Sequence, residues 1–164
     1  MTLLAIRNLS VDLSLSNGTL HAVRDVSFSL NRGQTIGIVG ESGSGKSMTA
    51  MALMRLLPKT GTSRARSILF DGEDIQQMDK RDFLHSISGV KMSMIFQEPM
   101  TSLNPVYSVA RQMTEAVLLR RQKSKREALD QAVFLLEKVG IANAAGRLYQ
   151  YPHQLSGGQR QRVM

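Results

Sequence analysis

Two glycine-rich stretches hold the residues most able to do chemistry. The first, Gly40-Glu41-Ser42-Gly43-Ser44-Gly45-Lys46-Ser47, fits G-x-x-x-x-G-K-[ST] at every position. Its glycines reach backbone conformations closed to other residues and let main-chain amides come close to oxygens. Those amides, with the positive end of the helix that follows, favour a polyphosphate. Lys46 sets a point charge at the β- and γ-phosphates, and the Ser47 hydroxyl suits Mg2+. By itself the motif speaks for a nucleoside triphosphate. It does not separate a small-molecule kinase, a GTPase, a recombination ATPase and a transporter motor.

The second stretch is Leu155-Ser156-Gly157-Gly158-Gln159. Ser156 is placed to cap the helix that Gln159-Arg160-Gln161-Arg162-Val163-Met164 begins. A capped helix start beside glycines is an anion site by the same physics as the first. The plain reading, a glycine-rich helix start with no ligand, stands beside it. Two phosphate-binding turns on one chain point to a site that both could share.

The elements that must position these turns follow from the pattern. Residues 4–9 read as a strand, Asn17-Gly18 as a turn between two β-like runs, and residues 22–30 as a half-exposed strand. Asn31-Arg32-Gly33 is a turn. Residues 35–39, Thr-Ile-Gly-Ile-Val, read as a buried parallel strand that delivers the phosphate loop. Residues 48–57 read as the helix that leaves it, ending before Pro58. Residues 67–70 read as a strand closed by Asp71-Gly72, and residues 91–96 as another strand. From Ser108 onward the chain reads as helices. Val109, Met113, Val117 and Leu118 share one face, and Ser124 with Glu127 forms a capping box. The helix so opened places Ala128, Ala132, Leu135, Leu136 and Val139 on one side, and Gly140 stops it.

Composition bounds the rest. The chain has 164 residues, 42% of them apolar, enough for one domain with a core and too few for two full ones. It has no cysteine, which excludes disulfides, zinc–thiolate sites and iron–sulfur clusters within the sequence. No apolar leader follows Met1, and no run is apolar enough to span a bilayer. The net charge of +8 is scattered, apart from Arg120-Arg121-Gln122-Lys123-Ser124-Lys125-Arg126. A solvated basic surface, a polyanion partner and an anionic membrane face are the readings of that charge. No reading helix or aromatic platform accompanies it, so nucleic acid is not expected as a partner.

With both turns and the segment after residue 96 in view, the chain resembles the ATP-binding cassette (ABC) ATPases. Residues 40–47 resemble their Walker A loop and residues 155–159 their LSGGQ signature. Gln97 stands where the family has its Q-loop glutamine. The resemblance covers the whole chain. It implies an α/β fold, a P-loop NTPase cassette with an N-terminal antiparallel β subdomain and a helical signature subdomain. Residues 1–97 would hold the β subdomain and the N-terminal part of the RecA-like core, and residues 98–164 the Q-loop and helical subdomain. The implied ATP contacts are Gly40, Glu41, Ser42, Gly43, Ser44, Gly45, Lys46, Ser47 and Met48. Lys46 and Gln97 take the catalytic roles within this sequence, and Ser47 and Gln97 serve Mg2+. Two cassettes would pair head to tail, so that Leu155, Ser156, Gly157, Gly158 and Gln159 grip ATP held by the partner. Closure on ATP would drive two membrane permease subunits. An extracellular or periplasmic solute-binding protein would act indirectly, with the cassette peripheral at the cytoplasmic face of the inner membrane.

Local sequence narrows the resemblance. Ile95-Phe96-Gln97-Glu98-Pro99-Met100-Thr101-Ser102-Leu103-Asn104-Pro105 and Tyr151-Pro152-His153-Gln154 before the signature resemble the oligopeptide, dipeptide, nickel and glutathione importers. Two departures stand out. The stretch Asn17-Gly18-Thr19-Leu20-His21-Ala22-Val23 lacks Tyr, Phe or Trp to stack on adenine, leaving His21 as a candidate or as a plain surface histidine. The family's Walker B aspartate, catalytic glutamate, D-loop and switch histidine would follow Met164. The expectation is therefore a fragment with an incomplete core sheet, which binds nucleotide weakly and does not turn it over. Two rival functions remain. One is a soluble ABC-type ATPase acting on nucleic acid in repair or translation. The other is a non-catalytic cassette that regulates a longer partner.

Overall fold

A computed structural model describes residues 1–96, 102–119 and 123–164. The chain divides into two compact units, Met1–Met94 and Ile95–Met164.

The first unit is built on an antiparallel sheet of order β2-β1-β4-β5, with β3 paired to the far half of β1. The strands are β1 (Thr2–Leu15), β2 (Gly18–Asn31), β3 (Gly61–Arg64), β4 (Ser67–Phe70) and β5 (Glu73–Asp74). The β1–β2 hairpin closes with Leu15 opposite Gly18, which centres the turn on Ser16 and Asn17. Asp71 and Gly72 both take positive φ, 53° and 86°, as the tight β4–β5 turn requires.

Along β1 the buried residues are Leu4, Ile6, Leu9 and Val11. A flat strand would alternate without a break, yet the phase slips between Ile6 and Leu9. A bulge in the register there lets all four face the core. With Val23, Ala52, Ile68, Phe70, Ile75, Phe83 and Ile87 they form the core of this unit. Each fully buried side chain such as Leu9 contributes about 1.5–3 kcal/mol.

Helix α1 (Lys46–Leu53) is shorter than the expected 48–57 and starts two residues earlier. It stops because Arg55 turns to φ 54°. The Arg55 guanidinium donates to the carbonyls of Ile75 and Met78, both at 2.6 Å, and its plane lies 4.4 Å from the Phe83 ring centre. Helix α2 (Lys80–Ser86) is capped by Asp79, whose carboxylate accepts from the amides of Arg81 and Asp82.

Two expected strands do not form. Residues 34–40 make no ladder, and Ile36, Ile38 and Val39 are 42%, 49% and 95% exposed rather than buried. No described strand pairs with them, and a parallel strand needs a neighbour on at least one edge. In the 91–96 segment only Met92 makes a bridge, to Ser88, and Ile95 is exposed.

The second unit is helical: α3 (Val109–Leu119), α4 (Lys125–Lys138), α5 (Ala144–Arg147) and α6 (Gly157–Val163), with a 3-10 turn at Pro152–Gln154. Its core is Val109, Ala110, Ala132, Leu136, Ile141, Ala144, Leu148 and Leu155. The capping box of α4 forms as expected, Ser124 accepting from the Glu127 amide and Glu127 accepting from the Ser124 amide. The Ser124 hydroxyl, donating to Glu127 Oε2 at 2.6 Å, and then the Ser124 amide hold the Glu127 carboxyl below its ordinary range. Gly140 ends the helix at φ 72°. The buried faces differ in detail from expectation. On α3, Val109, Ala110 and Thr114 are buried while Val117 and Leu118 are only half-buried. On α4, Leu135 and Val139 are exposed. No helix among the described residues is long and apolar enough to cross a membrane.

Candidate functional site

The loop of residues 40–47 takes a defined shape without the strand expected before it. Gly43 and Gly45 sit at φ 81° and 88°, in the left-handed region. Gly45 is also the residue before α1, where a β-carbon would collide with the Ala22 carbonyl oxygen and press the Val23 side chain at 3.1 Å. The loop is thus seated against β2. Thr49, buried, donates its hydroxyl to the Gly45 carbonyl at 3.0 Å and ties the first turn of α1 to the loop.

Lys46 folds over the loop. Its ammonium donates to the carbonyls of Gly40 at 2.7 Å and Glu41 at 2.6 Å and to the Ser44 hydroxyl at 3.3 Å. A phosphate oxygen would compete for the same protons, so a bound polyphosphate meets a charge already held at the centre of the loop. Ser47, next on the helix, is exposed. Met48 packs its side chain on the core. Gly40, Gly43, Ser44, Gly45 and Lys46 line one cleft of about 800 Å³, together with Ala22, Val23, Arg24, Phe28 and His21.

His21 is tethered. Its Nδ1 donates to Asp12 Oδ1 at 2.7 Å, and Arg64 donates to the other carboxylate oxygen at 2.5 Å. The His21 hydrogen bond first, and then Arg64, hold the Asp12 carboxyl below its ordinary range. The turn centred on Ser16 and Asn17 sets Asp12 opposite His21, whereas the Asn17-Gly18 turn expected from the sequence would have set it opposite Val23.

In the second unit, the residue-155 turn is built from its anchor outward. Leu155 is buried in the helical core. Ser156 caps α6, its hydroxyl accepting from the Gln159 amide at 3.3 Å while Gln159 Oε1 accepts from the Ser156 amide at 3.0 Å. The helix therefore begins at Gly157, two residues earlier than expected. A β-carbon at Gly157 or Gly158 would meet nothing within 4 Å. Among the described residues, no neighbouring atom requires glycine at either position. Arg162, unread in the sequence, ties the turn down: its Nε donates to the Gly158 carbonyl, and its guanidinium to the carbonyls of Val139 and Gly140. Tyr151 and His153 stack at 5.7 Å just before the turn.

Gln97, with Glu98, Pro99, Met100 and Thr101, lies outside the described residues, as do Arg120, Arg121 and Gln122 of the basic cluster. No group of three or more His, Asp or Glu able to hold a metal occurs among the described residues. In the loop the motif offers Mg2+ a single hydroxyl, that of Ser47. That fits Mg2+ only in the manner of phosphate-bound Mg2+, where phosphate oxygens and waters supply the other ligands.

The family model described as "ABC transporter" matches residues 23–164. The oligopeptide transport ATP-binding protein OppD of Bacillus subtilis (strain 168) is 43% identical over 163 residues, covering 99% of this chain and 45% of the relative. The glutathione import ATP-binding protein GsiA of Escherichia coli (strain K12) is 45% identical over 171 residues, covering 98% of this chain and 27% of the relative. The chain thus spans less than half the length of either. Among solved structures, the dimeric post-hydrolysis cassette MJ0796 bound to ADP and Pi superposes with a TM-score of 0.77 at 21% identity, over 98% of this chain and 66% of that one. CbiO1 from Clostridium perfringens, part of the cbiONQ ABC transporter complex, superposes with a TM-score of 0.66 at 26% identity, over 99% and 59%.

Proposed function

Because the chain belongs to the ABC transporter family, we propose that it is the ATP-binding part of an import ATPase subunit that takes up peptides or glutathione. The observation that carries the ATP reading is the 40–47 loop, with Gly45 seated against β2 and the Lys46 ammonium at its centre. ATP would lie in the cleft with its phosphates on the loop amides and Lys46. Ser47 would ligate Mg2+, which neutralises charge between the β- and γ-phosphates when bound. Gln97 would sense that ion and the attacking water. The solute class is supported by the names and high identity of the oligopeptide and glutathione relatives. Dipeptide and nickel are finer alternatives within the same group.

Residues 1–97 would act as the β subdomain with the first part of the nucleotide core, and residues 98–164 as the Q-loop and signature subdomain. Leu155, Ser156, Gly157, Gly158 and Gln159 would close on ATP held by a second cassette. The open space around Gly157 and Gly158 supports that reading. ATP hydrolysis, two permease subunits, an extracellular or periplasmic solute-binding protein and a peripheral place at the cytoplasmic membrane face complete the proposal.

The test is titration of the chain with a fluorescent ATP analogue and Mg2+. Loss of the Lys46 charge and its hydrogen bonds, each worth about 1.5–3 kcal/mol, weakens binding in Lys46→Ala by about tenfold or more. Equal affinity of the two proteins sinks the proposal.

A further inference from the structure

The β1–β2 hairpin carries two non-glycine residues in the left-handed region, Asn8 at φ 54° and Asp25 at φ 53°, one on each strand. They are locked to each other: Asn8 Nδ2 donates to Asp25 Oδ1 at 2.6 Å. Each also gives its backbone amide to a serine hydroxyl of the opposite strand. Asn8 N donates to Ser27 Oγ at 2.8 Å, and Asp25 N donates to Ser10 Oγ at 3.1 Å. The pattern is two-fold: a left-handed polar residue followed two positions later by a serine, once per strand. Short polar side chains tolerate this backbone conformation, and β-branched ones do not.

The register shows what the lock does. Between the pairs Ile6↔Phe28 and Leu9↔Val26, β1 advances one residue more than β2. Between Leu9↔Val26 and Val11↔Val23, β2 advances one more than β1, which restores the offset. Without the Asp25 bulge the ladder would run on to set Arg24 opposite Val11, in place of the buried Val23. One further residue, Ala22, is then left out of the pairing between Val11↔Val23 and Asp12↔His21. Its carbonyl is the one that meets Gly45 of the phosphate loop.

We propose that the Asp25 bulge, locked to the Asn8 bulge that it offsets, is a positioning device for the phosphate loop: it restores the register in which Val23 is buried and the Ala22 carbonyl lies against Gly45. Neither Asn8 nor Asp25 touches nucleotide. Both act through β2, whose Ala22, Val23, Arg24, Val26, Ser27 and Phe28 wall the cleft. The ATP consequence rests on the function proposed above; the loop geometry does not.

Two readouts test it on the whole chain: the Gly45 amide resonance without nucleotide, and affinity for an ATP analogue with Mg2+. A β-branched residue is disfavoured in the left-handed region, so Asp25→Val shifts the Gly45 resonance and weakens binding by about tenfold. Asp25→Asn tolerates that backbone and restores both. The double variant Ser10→Ala/Ser27→Ala removes the acceptors without changing the φ preference, and weakens binding by about fivefold. If far-UV circular dichroism shows Asp25→Val unfolded, the serine variant decides. A folded variant with a wild-type Gly45 resonance overturns the proposal. If the wild type shows no Lys46-dependent ATP binding, the ATP reading fails, and the resonance still judges the positioning.

Discussion

At the scale of single residues, Gly43 and Gly45 look alike in the sequence and differ in the structure. Both hold positive φ, so alanine at either site is strained by the backbone alone, about 1–2 kcal/mol. Only Gly45 also faces a wall, the Ala22 carbonyl, while a β-carbon at Gly43 meets nothing within 4 Å. Gly43→Ala is therefore expected to lower stability by that backbone cost, about 1–2 kcal/mol in urea denaturation. Gly45→Ala costs more and abolishes nucleotide binding, because the loop must leave β2 to admit the methyl group. Equal losses in the two variants would mean that the contact with β2 carries no weight. The sequence motif names both glycines. It cannot rank them, because the atom that distinguishes them lies on a strand more than twenty residues away.

Among elements, the features fixed by local chemistry were the most legible. The Ser124–Glu127 box, the Gly140 stop, the Asp71-Gly72 turn and the Ser156 cap all follow from short-range hydrogen bonds. What was not legible depended on distant partners. The end of α1 is set by Arg55 reaching carbonyls near residue 75, not by Pro58. The phase slip from Ile6 to Leu9 was visible as spacing, yet only the facing strand shows that it is a bulge. Arg162 is the same kind of case. It sits on the short α6 and donates to Gly158 of its own turn and to Val139 and Gly140 at the end of α4. The guanidinium reaches these three carbonyls from two nitrogens held in a fixed fork, a spread that a single ammonium nitrogen does not reproduce. Arg162→Ala is expected to destabilise the helical unit by about 1–3 kcal/mol, from several hydrogen bonds to a charged group lost together. Arg162→Lys recovers only part of it. Thermal melts followed by circular dichroism check both, and full rescue by lysine would show that charge alone matters.

For the whole molecule, the instructive disagreement concerns two segments read as strands, residues 35–39, expected to be buried, and residues 91–96. The composition of residues 35–39 is that of a sheet interior, short, apolar and β-branched, and in the structure Ile36, Ile38 and Val39 are exposed, as are Ile95 and Phe96 of the other segment. Apolar pattern reports the environment a segment is suited to, whereas a ladder needs a second strand at about 4.8 Å. None of the described strands stands beside residues 35–39, while β1 has neighbours on both edges. The phosphate loop nevertheless keeps its seat, because it is held from the other side, by Gly45 on Ala22 and by Thr49 on Gly45. Local stability should therefore fall across the loop rather than before and after it alike. Amide hydrogen exchange resolves this directly, since protection follows hydrogen bonding and burial residue by residue. The amides of residues 35–39 are expected to exchange within the dead time of a manual experiment. Those of Leu9 and Val11 in β1, and of Thr49 at the start of α1, are protected by about the global stability of the unit. Protection at Ile36 or Ile38 equal to that of Val11 would mean that these residues pair with a strand after all. Exchange at Thr49 as fast as at Val39 would mean that the seat against β2 does not hold the loop.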